Sequence, residues 1–148
     1  MGMIKLRMAQ ESDVLELAAL AYAYVEDDAV CNSVEGIREY LQNSQDIVCI
    51  AEDKGKLIGY CCGRISRHMS FKEPIADVVE LFLSEDYRGK GIGKQLLSGI
   101  EAEFVKCGVN RVRILVREGS ETARKFYLAC GYDEYNMVMC RKDCTVTS

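Results

Sequence analysis

Histidine occurs once in this chain, as His68, proline once, as Pro74, and none of the eight cysteines stands in a C-x-x-C pair. Without paired thiols or a second imidazole the sequence offers no zinc-binding spacing, and no metal is expected. The irregular cysteine spacings instead suit reduced thiols packed as small hydrophobes. No apolar run approaches the roughly 20 residues of a membrane helix. The opening residues Met1-Gly2-Met3-Ile4-Lys5 have no signal-peptide h-region, and Gly2 lacks the serine or threonine that a myristoylation signal places four positions on. A soluble, cytoplasmic protein with no membrane partner is the expectation. Basic excess is missing too: the formal charge is -4 and the isoelectric point about 5.1, which argues against nucleic acid as a partner and favours a cationic substrate. A chain of 148 residues is one domain's worth, with room for a core on both sides of a sheet, so 1–148 is read as a single domain.

What is present concentrates between Val78 and Leu97. An apolar, β-branched and aromatic run with one acid, Glu80, passes through Ser84-Glu85-Asp86 into three alternating glycines, Gly89, Gly91 and Gly93. From Ile92 onward, Ile92, Leu96, Ile100 and Phe104 recur every four residues with Leu97 beside them, the stripe of an amphipathic helix. A strand therefore enters a tight turn that opens a helix. Glycines let consecutive N–H groups converge, and the positive end of the helix dipole lies at the same place, flanked by Arg88, Lys90 and Lys94. Such a site suits an anion, most naturally a phosphate. A Walker loop is excluded, because Arg88 stands where its first glycine belongs and Gln95 where its serine or threonine belongs. The dinucleotide fingerprint fails as well, since Lys94 or Leu96 falls at its last glycine.

The flanking sequence supplies a full set of elements. Met3 to Met8 alternates as a half-buried strand. Ser12-Asp13 is placed to cap a helix with Val14, Leu17, Ala18, Ala21 and Val25 on one face, which ends in the acidic run Glu26-Asp27-Asp28. Ser33 caps a second helix with Val34, Ile37 and Leu41 inward, ending near Asn43. Ile47 to Ala51 and Leu57 to Ile65 form a hairpin about Asp53-Lys54-Gly55-Lys56. A polar loop from Arg67 to Pro74 leads to a central strand beginning near Ile75. The helix after the glycine turn runs to about Cys107, with Gly108 as its stop. Val112 to Val116 is a fifth strand, Ser120 caps a fourth helix that Gly131 ends, and Tyr132 to Cys140 is a last strand. The order β-α-α-β-β-β-α-β-α-β implies an α/β (α+β) fold, a mixed sheet with helices on both faces.

The pattern Arg88-x-x-Gly91-x-Gly93, behind a strand ending Glu80-Leu81-Phe82-Leu83, resembles the acyl-CoA pyrophosphate loop of the GNAT (Gcn5-related N-acetyltransferase) superfamily. A second stretch, Ser120-Glu121-Thr122-Ala123-Arg124-Lys125-Phe126-Tyr127-Leu128-Ala129-Cys130-Gly131-Tyr132, is similar to the family pattern N-x-x-A-x-x-F-Y-x-x-x-G-F/Y, with serine replacing the leading asparagine. The resemblance covers essentially the whole chain and implies a central, mostly antiparallel sheet. It implies acetyl-CoA as cosubstrate, entering where the fourth and fifth strands splay apart. The exposed backbone near Leu81, Phe82 and Leu83 would pair with pantetheine, and the N–H groups of Arg88, Gly89, Lys90, Gly91, Ile92, Gly93 and Lys94 would hold the diphosphate. Ser120 and Lys125 join this cofactor-binding set.

Acetyl transfer requires a neutral amine, a donor for the developing oxyanion and a proton for the departing thiolate. Tyr127 matches the family tyrosine that serves the leaving sulfur, and is otherwise a core tyrosine on an apolar helical face. Glu80 stands where many members keep a carboxylate that takes the amine's proton; it is otherwise a substrate anchor, or an acid paired to arginine that shares its duty with Asp77. Glu26, Asp27 and Asp28 oppose the dipole of the first helix at its C-terminus. In this family that turn borders the acceptor cleft, so these acids, with His68 from the variable loop, are candidate substrate contacts, against a plain solvated turn and an exposed histidine. The expected function is acetyl-CoA-dependent N-acetylation of a primary amine by direct attack, with a small cationic amine or basic peptide as acceptor and a homodimer left open. The alternatives are a non-catalytic CoA-binding or regulatory module, and acyl transfer through a cysteine thiol.

Overall fold

The computed structural model describes residues 3–145, so Met1, Gly2 and the last three residues of the expected 1–148 domain lie outside the described residues. The chain divides into two compact units, Met1–Leu115 and Val116–Ser148.

In the first unit, β1 (Ile4–Met8), α1 (Val14–Val25), α2 (Val34–Asn43), β2 (Ile47–Asp53), β3 (Lys56–Ser66), β4 (Ile75–Leu83), α3 (Ile92–Lys106) and β5 (Val112–Ile114) follow in order. The five strands form one sheet in the order β1-β2-β3-β4-β5. Neighbours among the first four are antiparallel, and β5 joins β4 in parallel. The mixed, mostly antiparallel sheet expected from the pattern is thus present. β3 shows why helices cover both faces. Its Tyr60 and Cys62 pack with Val14, Leu17 and Leu20 of α1 and Ile37 of α2. The alternate position, Gly63, lies against Ile100 and Phe104 of α3, because successive strand residues face opposite ways. The predicted α3 stripe of Ile92, Leu96, Leu97, Ile100 and Phe104 is buried throughout.

Of the three expected helix caps at Asp13, Ser33 and Ser120, one forms. Asp13 does not cap α1, since its carboxylate accepts two hydrogen bonds from Arg7, both at 2.8 Å, and one from the Gln10 amide at 2.7 Å. Ser33, with φ -79° and ψ 165°, accepts from Gly36 N as a cap should. Ser120, at ψ 76°, makes no side-chain cap bond, because only an extended residue swings its oxygen over the first helical amides. The packing of thiols as small hydrophobes holds for Cys49, Cys61 and Cys62 but not for Cys107, Cys140 and Cys144, which are exposed.

In the second unit, α4 (Glu121–Ala129) is the single regular element among the described residues. Residues 132–140, expected as a sixth strand, carry no regular structure. Alternation alone does not make a strand; the backbone needs a partner ladder, and the sheet includes none for these residues.

Candidate active site

The site in the first unit is built by an irregularity in β4. Cys62 pairs with Glu80 and Gly63 with Val78, so Val79 is an extra residue, a β-bulge. Cross-strand partners share a face. Val78 therefore lies on the α3 side with Gly63, whereas Glu80 turns to the α1–α2 side with Cys62. Without the bulge, Val78 and Glu80 would face the same way.

The bulge also marks where β4 and β5 part. Their pairing covers Ala76, Asp77 and Val78 and ends at Ile114, so among the described residues β4 beyond Val78 has a strand neighbour only on its β3 side. Ser84 N donates to Ile58 O at 2.8 Å, and antiparallel alternation then turns the main-chain groups of Glu80 and Phe82 toward β3 and those of Leu81 and Leu83 toward the unpaired edge. Arg88 folds back on that edge: its Nε donates to Leu83 O at 2.8 Å, and its guanidinium carbon lies 5.5 Å from the centre of the Phe82 ring.

Past the edge comes the glycine loop. Gly89 and Gly91 hold φ values of 76° and 83°, the left-handed conformation that glycine adopts without a Cβ penalty. Arg88 N is used within the turn, on Glu85 O at 3.2 Å. The first bond of α3 runs from Gln95 N to Gly91 O at 3.2 Å, so the amides of Ile92, Gly93 and Lys94 precede it and lack intrahelical acceptors. No side chain caps this end and no acid stands in its first turn. With Lys94 in that turn, these donors fit an anionic diphosphate. Lys90 Nζ is 5.7 Å from the Tyr87 ring centre.

Glu80 is half-buried, and its Oε1 accepts a hydrogen bond from the Tyr60 hydroxyl at 3.0 Å. Burial first, and then the neighbouring Glu80 charge, push the Tyr60 phenol well above the usual tyrosine range, so it stays protonated and donates. Glu80 is therefore held by a tyrosine, not an arginine. Asp77, considered as its deputy, is committed to Arg113 through bonds of 2.9 and 3.1 Å. Tyr60 escaped the sequence reading because its partner is set by strand register. A polar-tipped ring in an otherwise apolar strand was the only local signal.

Glu26 ends α1 in the left-handed region at φ 57°. Asp27 accepts from Ala29 N at 2.9 Å within its own turn, and Asp28 is exposed beside it. The His68 ring lies edge-on to Phe71 at 5.8 Å and 3.3 Å from Ser66 Oγ. In the second unit, Tyr127 is half-buried with its ring 5.1 Å from Phe126 and 5.9 Å from Tyr132, while Lys125 is exposed. The thiol route finds little support on β2 and β3: burial pushes Cys49 up to about 11 and Cys62 up to about 12, leaving little thiolate to act as nucleophile.

Among the described residues, β4 beyond Val78 thus runs without a β5 partner toward a glycine-opened helix. The acetyltransferase (GNAT) family model matches residues 2–132, and the chain belongs to that family. The uncharacterized N-acetyltransferase YycN of Bacillus subtilis is 34% identical over 67 residues, which span 45% of this chain and 43% of YycN. An aminoglycoside acetyltransferase, meta-AAC0020, from an uncultured soil metagenomic sample superposes with a TM-score of 0.84 at 19% identity, covering 96% of this chain and 97% of that one. AAC(6')-Iy, in complex with the bisubstrate analog CoA-S-monomethyl-acetylneamine, gives 0.81 at 18% identity, covering 97% and 100%.

Proposed function

We propose that the chain, acting as one N-acetyltransferase domain over residues 1–148, transfers an acetyl group from acetyl-CoA to a primary amine. The observation that carries this reading is the amino end of α3, where the amides of Ile92, Gly93 and Lys94 precede the first helical bond with neither cap nor acid to occupy them. Bound acetyl-CoA supplies the acetyl group as a thioester open to amine attack. The α3 amides and Lys94 hold the diphosphate, supported by Lys90. Leu81 offers its main-chain groups, and Leu83 its amide, to the pantetheine arm. Glu80 takes the proton of the attacking amine as the new N–C bond forms, and Tyr127 gives its phenol proton to the sulfur released from the acetyl carbon.

The acceptor is a cationic amine or basic peptide, drawn by the net negative charge and by Glu26, Asp27, Asp28 and Glu80; an aminoglycoside-like amine lies within this class. Nucleic acid and membrane are not among the partners of this reading, which places the enzyme in the cytoplasm. Among the described residues no helix is long and apolar enough to cross a membrane.

Incubation with acetyl-CoA across an amine library, followed by thiol release and product mass spectrometry, tests the proposal. Acetylated amine formed in step with free CoA is expected. Tight CoA binding without thiol release from any amine would instead leave a CoA-binding module.

A further inference from the structure

We infer that Tyr60 is a positioning residue that holds the Glu80 carboxylate in place for the acceptor amine. The inference rests on the acetyltransferase reading and adds a residue to it. Tyr60 pairs with Phe82 across β3 and β4, and Glu80 lies two residues before Phe82 on the same face. A tyrosine ring spans such a diagonal, and its hydroxyl meets Glu80 Oε1 at 3.0 Å.

The donor is buried and flanked by two rings. Tyr60 is 4% exposed. Its ring lies 6.1 Å from Phe82, and Tyr24 of α1 stands edge-on to both, at 6.5 Å from Tyr60 and 6.1 Å from Phe82. A hydroxyl on a ring so enclosed cannot follow the carboxylate if it turns; the carboxylate must come to the hydroxyl. Oε1 is thereby occupied, and among the described residues no hydrogen bond reaches Oε2, the oxygen left for the amine. The β4 bulge and Tyr60 thus divide the work: the bulge selects the face of Glu80, and Tyr60 fixes how its carboxylate is turned, leaving one oxygen for the amine.

The test compares Tyr60→Phe, Glu80→Gln and the double variant. Tyr60→Phe keeps the ring and is expected to lower kcat about tenfold while KM for acetyl-CoA stays within about twofold. In the Glu80→Gln background the same change has no further effect on kcat, the signature of two residues acting as one unit. An independent readout is infrared difference spectroscopy without substrate: the carboxylate stretch that Glu80→Gln removes is displaced in Tyr60→Phe. Should Tyr60→Phe not fold, the phenol C–O stretch of Tyr60, wild type against Glu80→Gln, reads the same bond from its other end. If the unaltered protein acetylates no amine, the underlying function falls and this role with it. If the protein is active and Glu80→Gln is impaired, but Tyr60→Phe is as fast as wild type, adds its full effect to Glu80→Gln or leaves the carboxylate band in place, only the role of Tyr60 is overturned.

Discussion

The hydroxyl of Tyr87 donates to Asp53 Oδ2 at 2.8 Å, tying the turn ahead of the glycine loop to the far end of β2. The other carboxylate oxygen, Oδ1, is buried without a partner, so this bond is the one that anchors the side chain. Because the tie holds the loop and not the reacting atoms, Tyr87→Phe should raise KM for acetyl-CoA about threefold or more and leave kcat within about twofold. Calorimetric titration with CoA, set beside initial rates, checks the split.

Two glycines should respond to alanine with opposite signs. A Cβ at Gly99, inside α3, meets nothing nearer than Leu6 at 3.9 Å, so Gly99→Ala relieves the helix interior of a glycine and should stabilise by about 0.5–1 kcal/mol. A Cβ at Gly63 would fall 2.7 Å from Ile100 Cδ1 and closer still to the Phe104 ring. Gly63→Ala should therefore destabilise by about 1–3 kcal/mol. Thermal melts of the two variants decide both.

The ion pair between Arg7 and Asp13 predicts an acid-sensitive contribution to stability. Hydrogen bonding from the Arg7 guanidinium, against burial and with help from the Gln10 amide, holds the Asp13 carboxyl below its ordinary range. A lowered folded-state value means the contribution is complete above the ordinary aspartate pKa of about 3.9 and is lost as pH falls through the folded value beneath it. Asp13→Asn should cost about 1.5–3 kcal/mol at pH 7. The gap from wild type, read by urea unfolding, should shrink below about pH 4.

Tyr127→Phe should lower kcat about tenfold or more and leave CoA affinity within about twofold, since the phenol proton is needed only when the sulfur departs. Equal turnover in the two proteins would remove the general-acid role.

The α3 stripe and the glycine turn at Gly89 and Gly91 that opens it were legible in the sequence alone. Each depends on residues adjacent in the chain, where periodicity and backbone permissiveness act locally. The facing of Glu80, its capture by Tyr60, the return of Arg88 onto Leu83 O and the commitment of Asp77 to Arg113 depend on the register of β3, β4 and β5. That register is settled by packing between segments distant in sequence. The same physics explains why Asp13 left its cap for Arg7 and why residues 132–140 formed no strand: polar groups and backbone amides go to whichever partner the assembled chain brings within reach.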